Sequence, residues 1–302
     1  MSDPRPVAQA PWLEALALGY RVAVRPSRGE PFTPHRLVMA LRAAGFAEDQ
    51  VMSLPADDDN AEDILTGADL AYGVDGVTGL YGDDPRIIPE RRGPSVILLP
   101  ADIDWHQHLE SVTEALVRHG TDASVSGTTV LVEGDPDPVA GALARRFAAI
   151  PSLPPEDGNA VLPVRPVRAA GALARHLRDT ADGAWIAPGG DTMIDELGDG
   201  SAVLRPSVLR ADPGDEPRGA AELPFPCLRV ASWKRDEGLG PFGRALIVTA
   251  FTRDEGLVER LVEESAIDDL RIRGDHRTVA EAPRIVRLAE SLMRTRAVAL
   301  DR

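Results

Sequence analysis

The sequence contains one cysteine, Cys227, and one lysine, Lys234. A single cysteine excludes an internal disulfide and any metal centre built from several cysteines. No stretch of the 302 residues is apolar for long enough to span a membrane, and residues 1–6 lack the apolar core of a secretory signal. We therefore expect a cytoplasmic protein that does not act at a membrane. Arginine carries nearly all of its positive side-chain charge.

The charge balance is strongly acidic, with a formal net charge of −15. Such a balance disfavours a general nucleic-acid binder, which would present a basic face to phosphates, and it disfavours docking to an anionic membrane. The apolar fraction of 43% is ordinary for a globular protein, and the length is sufficient for two domains.

Strand and helix patterns alternate along the chain. Apolar runs predict strands, of which Ser95–Leu99 and Val130–Val132 are the clearest. Helical spacing follows or precedes each run, and Thr33 before Pro34 is a predicted N-cap. The alternation predicts an α/β fold with a largely parallel sheet and helices on both faces. We expect a boundary near Thr121, which divides the chain into residues 1–120 and 121–302.

A loop of small residues, 120–129, leads into the strand Val130–Val132. Loops in this position often carry the reacting side chain of an α/β enzyme. The loop offers one carboxylate, Asp122, several hydroxyls and no thiol.

Several short segments, in order, resemble the aldehyde dehydrogenase superfamily, particularly its acyl reductase-like branch. Residues 18–27 resemble the family's cofactor-domain strand with its Pro-Ser pair, and residues 222–226 resemble its Glu-Ile-Phe-Gly-Pro stretch. Residues 251–254 and 292–295 also match segments of that branch. The resemblance implies an aldehyde dehydrogenase-like α/β fold, in which residues 1–120 are the C-terminal portion of a Rossmann-like cofactor-type domain. Residues 121–302 are then the catalytic domain with its C-terminal helix.

The sequence departs from the family at the nucleophile. Alignment on Ser126 and Gly127 puts Asp122 at the position of the family's cysteine, whereas alignment on Val130–Val132 puts Ser124 there. Neither side chain forms the thiohemiacetal that precedes hydride transfer. Cys227 falls where this branch commonly has a cysteine, and we expect it to be buried structure.

Two further departures concern the cofactor and the early part of the fold. No glycine-rich turn for a pyrophosphate is recognisable between Asp69 and Asp84, and the family's early strands and oxyanion Asn have no match. We therefore expect no cofactor, and we expect a small partner subunit that supplies the missing N-terminal part of the fold.

The residues around the loop each have a functional and a structural interpretation. Asp122 is a candidate general base, because a carboxyl in a water-poor cleft has a raised pKa, or it caps backbone N–H groups. Ser124 and Ser126 either bind substrate or hydrogen-bond the local backbone. His119, just before the loop, is the best histidine candidate for a site. No cysteine or paired carboxylate stands at ligand spacing, so we expect no metal site.

The resemblance also implicates residues that precede the strand Ser95–Leu99. Residues 90–95 overlay the family's Glu-Leu-Gly-Gly-Lys-Ser segment, which would put Glu90 at its general-base position. Arg91 and Arg92 would then face the site, where guanidinium groups suit sulfate, phosphate or carboxylate; alternatively they are a solvated pair. Arg25 overlays the residue that faces the adenosine ribose, and it either keeps an anion-binding role or is a family relic.

A chain that lacks the N-terminal part of the fold and pairs with a small subunit resembles the split aldehyde dehydrogenase-like proteins of azinomycin- and vazabitide-type antibiotic pathways in actinomycetes. That resemblance implies formation of an aziridine, in which an amine displaces a neighbouring sulfate on a substrate tethered to an amino-group carrier protein. Docking of an acidic carrier would require a local arginine patch or a basic partner subunit. Two alternatives stay open: an NAD(P)-dependent aldehyde or acyl reductase half-enzyme, and a catalytically dead scaffold subunit.

Overall fold

The computed structural model describes residues 6–27, 31–57, 60–73, 84, 86–88, 95–117, 129–180, 185–186, 193–211, 226–240, 245, 247–267, 269–272 and 292. The chain forms two compact units, residues 1–91 with 284–302 and residues 92–283. The division falls near residue 91 rather than near Thr121. The reason is that strand Ser95–Leu99 pairs with Thr129–Glu133 in one sheet of the second unit.

The described part of the first unit contains three helices and four short strands. The helices are α1 (Pro6–Ala17), α2 (Phe32–Ala43) and α3 (Ala61–Thr66), and the strands are β1 (Val22–Val24), β2 (Val51–Ser53), β3 (Ala71–Tyr72) and β4 (Ile87–Ile88). Strands β1 and β2 pair in parallel, as do β3 and β4. A small core joins them, with Leu16, Val22, Val24, Val38 and Val51 buried together.

The start of α2 differs from the expectation for Thr33. The helix begins at Phe32, and its cap position, Pro31, makes no side-chain hydrogen bond. Thr33 therefore lies inside the first turn and is not the N-cap. Pro34 is still tolerated there, because the first four N–H groups of a helix have no partner within it.

The second unit carries most of the regular structure. Its described helices are α4 (Leu109–Val117), preceded by a 3₁₀ turn at Trp105–His108, α5 (Asp137–Ala148), α6 (Val167–Thr180) and α7 (Glu255–Glu263). Its described strands are β5 (Ser95–Leu99), β6 (Thr129–Glu133), β7 (Val164–Pro166), β8 (Trp185–Ile186), β9 (Ile194–Glu196), β10 (Ser201–Leu204), β11 (Ser207–Ala211), β12 (Cys227–Trp233), β13 (Ile247–Ala250) and β14 (Asp269–Ile272).

Seven of these strands form one sheet in the order β14-β13-β5-β6-β12-β11-β8. All neighbours are parallel except β8, which runs antiparallel to β11. A separate antiparallel sheet has the order β7-β10-β9. The predicted α/β fold with a largely parallel sheet is confirmed.

Side chains of the central strands alternate between two hydrophobic layers. On β6, Val130 and Val132 join the layer that contains α4 and α5, whereas Leu131 joins the layer that contains α7. Ile97 and Val96 on β5 divide in the same way. Successive residues of a strand point to opposite faces, so both faces of the sheet are covered by helices, as a parallel sheet requires. Among the helices described, none is long and apolar enough to cross a bilayer.

Candidate functional site

The predicted catalytic and substrate-binding residues precede, in the sequence, two strands that begin at the amino edge of the large sheet. Strands β5 and β6 are parallel neighbours, with Val96 opposite Thr129, so their first residues lie side by side at this edge. Residues 90–92 precede the start of β5, and the loop with Asp122 precedes the start of β6. Along the chain, each of the two groups of predicted residues therefore comes before one of two strands, β5 and β6, that are neighbours in the sheet.

Most of the predicted site residues lie outside the described residues: Glu90, Arg91, Arg92, His119, Asp122, Ser124 and Ser126. Their assignment therefore rests on the sequence and on the strands that follow them. The interpretations of Asp122 as base and of the arginines as anion ligands stay predictions.

Arg25 is the predicted site residue that the structure describes. It follows β1, is half-buried, and donates a hydrogen bond from Nε to the carbonyl oxygen of Ala56 at 3.2 Å. Ala56 lies just beyond the end of β2, so the contact joins the chain at the carboxyl ends of two parallel strands. This contact gives Arg25 a structural function in the first unit and leaves its predicted role toward an anion as a hypothesis.

Cys227 is the first residue of β12 and also lies at the amino edge. It packs against an apolar cluster that includes Ala174, Leu177 and Leu204. Burial raises the pKa of the Cys227 thiol to about 12. A thiol with this pKa is neutral near pH 7, and the thiolate is the nucleophilic form. Cys227 is half-buried rather than buried as predicted, and its packing and raised pKa make it a structural cysteine.

A cluster of charged side chains lies at the opposite, carboxyl edge, and sequence analysis did not predict it. We call Asp102, Glu133, Arg235 and Asp254 the carboxyl-edge cluster. Arg235 donates from Nε to Oε1 of Glu133 at 2.8 Å and from Nη1 to Oδ2 of Asp254, and its Nη2 lies 3.4 Å from Oδ1 of Asp102. The four residues follow or end β5, β6, β12 and β13, so one guanidinium links four neighbouring strands.

Further hydrogen bonds hold the carboxylates of the cluster in place. Asp102 accepts from Thr252 Oγ1 at 3.0 Å and from the backbone N–H of Arg253 at 2.9 Å. Glu133 accepts from the backbone N–H of Ala101 at 2.8 Å, and Asp254 caps α7 by accepting from the N–H of Leu257. Each carboxylate therefore has partners other than the guanidinium.

The electrostatics of the cluster follow from these contacts. Hydrogen bonds from Arg235 and then from the backbone N–H of Leu257 hold the pKa of Asp254 below its usual range. Hydrogen bonds to Glu133 and Asp254 raise the pKa of Arg235. Both shifts favour the ionised forms of Arg235 and Asp254, so their contact is a stabilising ion pair. The Phe-Thr-Arg-Asp segment at residues 251–254 could have indicated only one member of the cluster, the helix-capping Asp254.

The described residues contain no group of three or more His, Cys, Asp or Glu side chains placed to hold a metal ion. His106 pairs with Asp104 through Nδ1 at 2.8 Å, whereas His108 is buried against the ring of Phe251. The two histidines, which are two residues apart, thus have different surroundings.

With the sheet order and its two edges established, the class of protein follows: the chain has the aldehyde dehydrogenase fold. It is similar to betaine aldehyde dehydrogenase from Staphylococcus aureus, solved with NAD⁺, with a TM-score of 0.73 and 21% identity over 90% of this chain and 58% of that one. It is also similar to proline utilization A from Bdellovibrio bacteriovorus, with a TM-score of 0.72 and 17% identity over 89% and 30%.

A third similar structure is a methylmalonate-semialdehyde dehydrogenase from Sinorhizobium meliloti complexed with NAD, with a TM-score of 0.68 and 17% identity over 83% and 55% of the two chains. The chain therefore spans less than two thirds of the length of these three structures. No protein-family model and no curated protein matches the sequence.

Proposed function

We propose that the chain is the large subunit of a heteromeric, non-redox biosynthetic enzyme. The enzyme closes an aziridine ring by base-assisted intramolecular displacement of sulfate on a substrate bound to a carrier protein. The observation that carries this proposal is the state of Cys227, which is the single thiol of a chain with a dehydrogenase fold. Because burial raises its pKa to about 12, that thiol is unsuited to the covalent step of aldehyde oxidation.

The reaction balances without a redox partner. The nitrogen lone pair of the substrate amine attacks the neighbouring carbon and forms the C–N bond, while the C–O bond to sulfate breaks and its electron pair leaves with sulfate. The carboxylate of Asp122 takes the proton of the ammonium group and frees the lone pair. This step needs a base, cations for the leaving group, and a cleft that holds the nitrogen and carbon in line.

Each predicted residue has a role in that scheme. Arg91 and Arg92 stabilise the departing sulfate, because planar guanidinium groups bind its oxygens in pairs. Ser124, Ser126 and His119 position the substrate around the carboxylate of Asp122. The parallel pairing of β5 with β6 supports the grouping, since these residues precede two adjacent strand starts. Glu90 and Arg25 keep the polar roles that the family resemblance implies for them.

The partner subunit of this proposal has support in the first unit. Within the residues described there, β1 and β2 form a parallel sheet of only two strands, each three residues long. So small a parallel sheet is marginal without further strands. Phe32 and Met39 are seven residues apart on α2 and are 68% and 49% exposed. A partner that adds strands and covers these two apolar side chains, between which exposed His35 and Arg36 lie, would stabilise the unit.

A reductase half-enzyme is the main rival, because two of the similar structures contain NAD. It would require a nucleophile from another chain and would bind cofactor in the presence of that chain. Titration calorimetry of the assembled complex with NAD⁺ and NADH tests it. Heat of binding at micromolar cofactor, with hydride transfer to an acyl or aldehyde substrate, would favour the rival over ring closure.

The direct test of the proposal uses the complex with its partner and a carrier-bound amine that bears a neighbouring sulfate. We expect sulfate release and ring closure in equal amounts, with no added cofactor. Asp122→Asn should lower the rate by on the order of 100-fold or more, because a positioned base contributes this much. A full rate in Asp122→Asn would contradict the assignment of Asp122 as the base and favour the scaffold alternative. If Ser124→Ala alone caused the same loss, Ser124 and not Asp122 would be assigned to the position of the family's cysteine.

A further inference from the structure

Helix α6 presents a row of arginines on its exposed face. Arg168, Arg175 and Arg178 are all exposed, and their spacing of seven and three places them on one side of the helix. None of the three forms an ion pair or hydrogen bond with a residue that the structure describes. We call these three residues the α6 arginine face.

The α6 arginine face contrasts with the rest of the molecule. The whole chain carries a net charge of −15, and several described arginines elsewhere are paired, as Arg205 is with Asp195 at 2.7 Å, whereas Arg145, Arg146 and Arg260 are exposed on other helices. One exposed carboxylate, Asp179, is four residues after Arg175 and lies on the same side of the helix, so the three arginines still leave an excess of positive charge there. Ala169 and Ala172 are also exposed on the helix, and such short side chains let a partner approach the guanidinium groups closely.

The buried side of α6 fixes where this face lies in the second unit. Ala174 and Leu177 pack in a cluster with Leu209 of β11 and Cys227 of β12. Cys227 is the first residue of β12, and β12 runs parallel to β6. Helix α6 is therefore anchored beside the amino edge of the sheet, the edge at which the strands that follow the candidate catalytic residues begin.

We propose that the α6 arginine face docks an acidic protein, the carrier that holds the substrate. This inference rests on the proposed function and adds the surface that the carrier uses. An acidic carrier is repelled by most of this acidic chain and attracted by one arginine row, so charge complementarity sets both its encounter rate and its orientation. A carrier that docks beside the amino edge holds its tethered substrate near the starts of β5 and β6, the strands that follow the residues proposed for ring closure.

The test measures binding and not turnover. Biolayer interferometry of immobilised full-length chain with an amino-group carrier protein, without substrate, compares wild type with the triple variant R168E/R175E/R178E. A matched control, R145E/R146E/R260E, makes the same charge change at exposed arginines on α5 and α7. Thermal melts verify that both variants fold.

We expect the α6 variant to bind the carrier at least about tenfold more weakly than the control does, and the wild-type affinity to fall steeply with added salt. Equal weakening in both variants, no weakening in either, or no carrier binding by the wild type overturns the inference. Tighter binding of wild type to duplex DNA than to the carrier also overturns it.

The same variants separate this inference from the proposed reaction. If both are right, the α6 variant loses activity on carrier-bound substrate but keeps it on the free sulfated amine. If ring closure is wrong and docking is right, no aziridine forms from either substrate while the binding difference between the two variants remains. Asp122→Asn, by contrast, should leave carrier binding unchanged.

Discussion

At the scale of single residues, Cys227 is the single cysteine of the sequence. Its thiol is packed in an apolar cluster at the start of β12, and burial raises its pKa to about 12. The sequence predicted this structural role from the segment in which the cysteine stands. What sequence could not supply is the surroundings of the thiol, which come from α6 and β11, distant in the chain.

We predict that Cys227→Ala leaves ring closure unchanged within about twofold and costs about 1 kcal/mol of unfolding free energy, since a half-buried small side chain is shortened. Denaturant unfolding and a sulfate-release assay measure the two quantities. At pH 7 iodoacetamide should alkylate the native wild type far more slowly than the unfolded chain, because little thiolate is present. Rapid native alkylation with loss of activity would contradict a structural cysteine.

A second residue-scale prediction concerns Arg235. Removing its guanidinium leaves the carboxylates of Glu133, Asp254 and Asp102 facing each other without a cation. Because Arg235 is partly exposed, we expect Arg235→Gln to cost about 2 kcal/mol, between the values for surface and buried ion pairs. Chemical denaturation measures this loss. Arg271→Gln, which removes a single pair with Asp269 on the edge strand β14, is the matched control and should cost less than about 1 kcal/mol.

The pH dependence of the same variant has a definite sign. The pKa of Asp254 is lowered in the folded state, so its contribution to stability is complete above the pKa of the unfolded carboxyl and is lost as pH falls below about 4. Acid titration of unfolding should therefore show a steeper loss in wild type than in Arg235→Gln. Parallel acid profiles for the two proteins would show that the ion network does not contribute through Asp254.

At the scale of elements, the sequence predicts best where one strand is buried on both faces. Strand β5 is observed at its predicted bounds, Ser95–Leu99, because a continuous apolar run admits few other structures. Strands β8, β9 and β11 were not predicted. Strands β8 and β9 have only two and three residues, and β11 is interrupted by Arg210. Their pairing partners set their conformation: β11, for example, lies between β12 and β8. Local propensity carries little of that information.

The candidate site shows the same limit. The structure shows that β5 and β6, the strands that follow the predicted residues in the chain, are parallel neighbours, which the strand pattern alone does not give. The carboxyl-edge cluster was missed because its members are spread from Asp102 to Asp254 and meet only through sheet order. The α6 arginine face, in contrast, can be predicted from the sequence once the helix Val167–Thr180 and its buried side are known.

At the scale of the whole molecule, we propose that a second polypeptide associates with the first unit. We predict that co-expression with the partner raises the unfolding temperature of the first unit and that Phe32→Glu/Met39→Glu weakens the complex. The physical reason is that these exposed apolar side chains on α2 would be covered on association. Analytical ultracentrifugation measures assembly. Val262→Glu, at an exposed apolar residue of α7 in the second unit, is the control and should leave assembly intact.

The measurement that tests the central claim most directly is single-turnover ring closure by the assembled complex, with sulfate and aziridine quantified together by mass spectrometry. The account predicts equal amounts of both products without NAD, and a rate in Asp122→Asn lower by on the order of 100-fold or more. Asp69→Asn, an exposed carboxylate of the first unit, should react at the wild-type rate. Product formation that depends on NAD, or an Asp122→Asn rate equal to that of Asp69→Asn, would contradict the account.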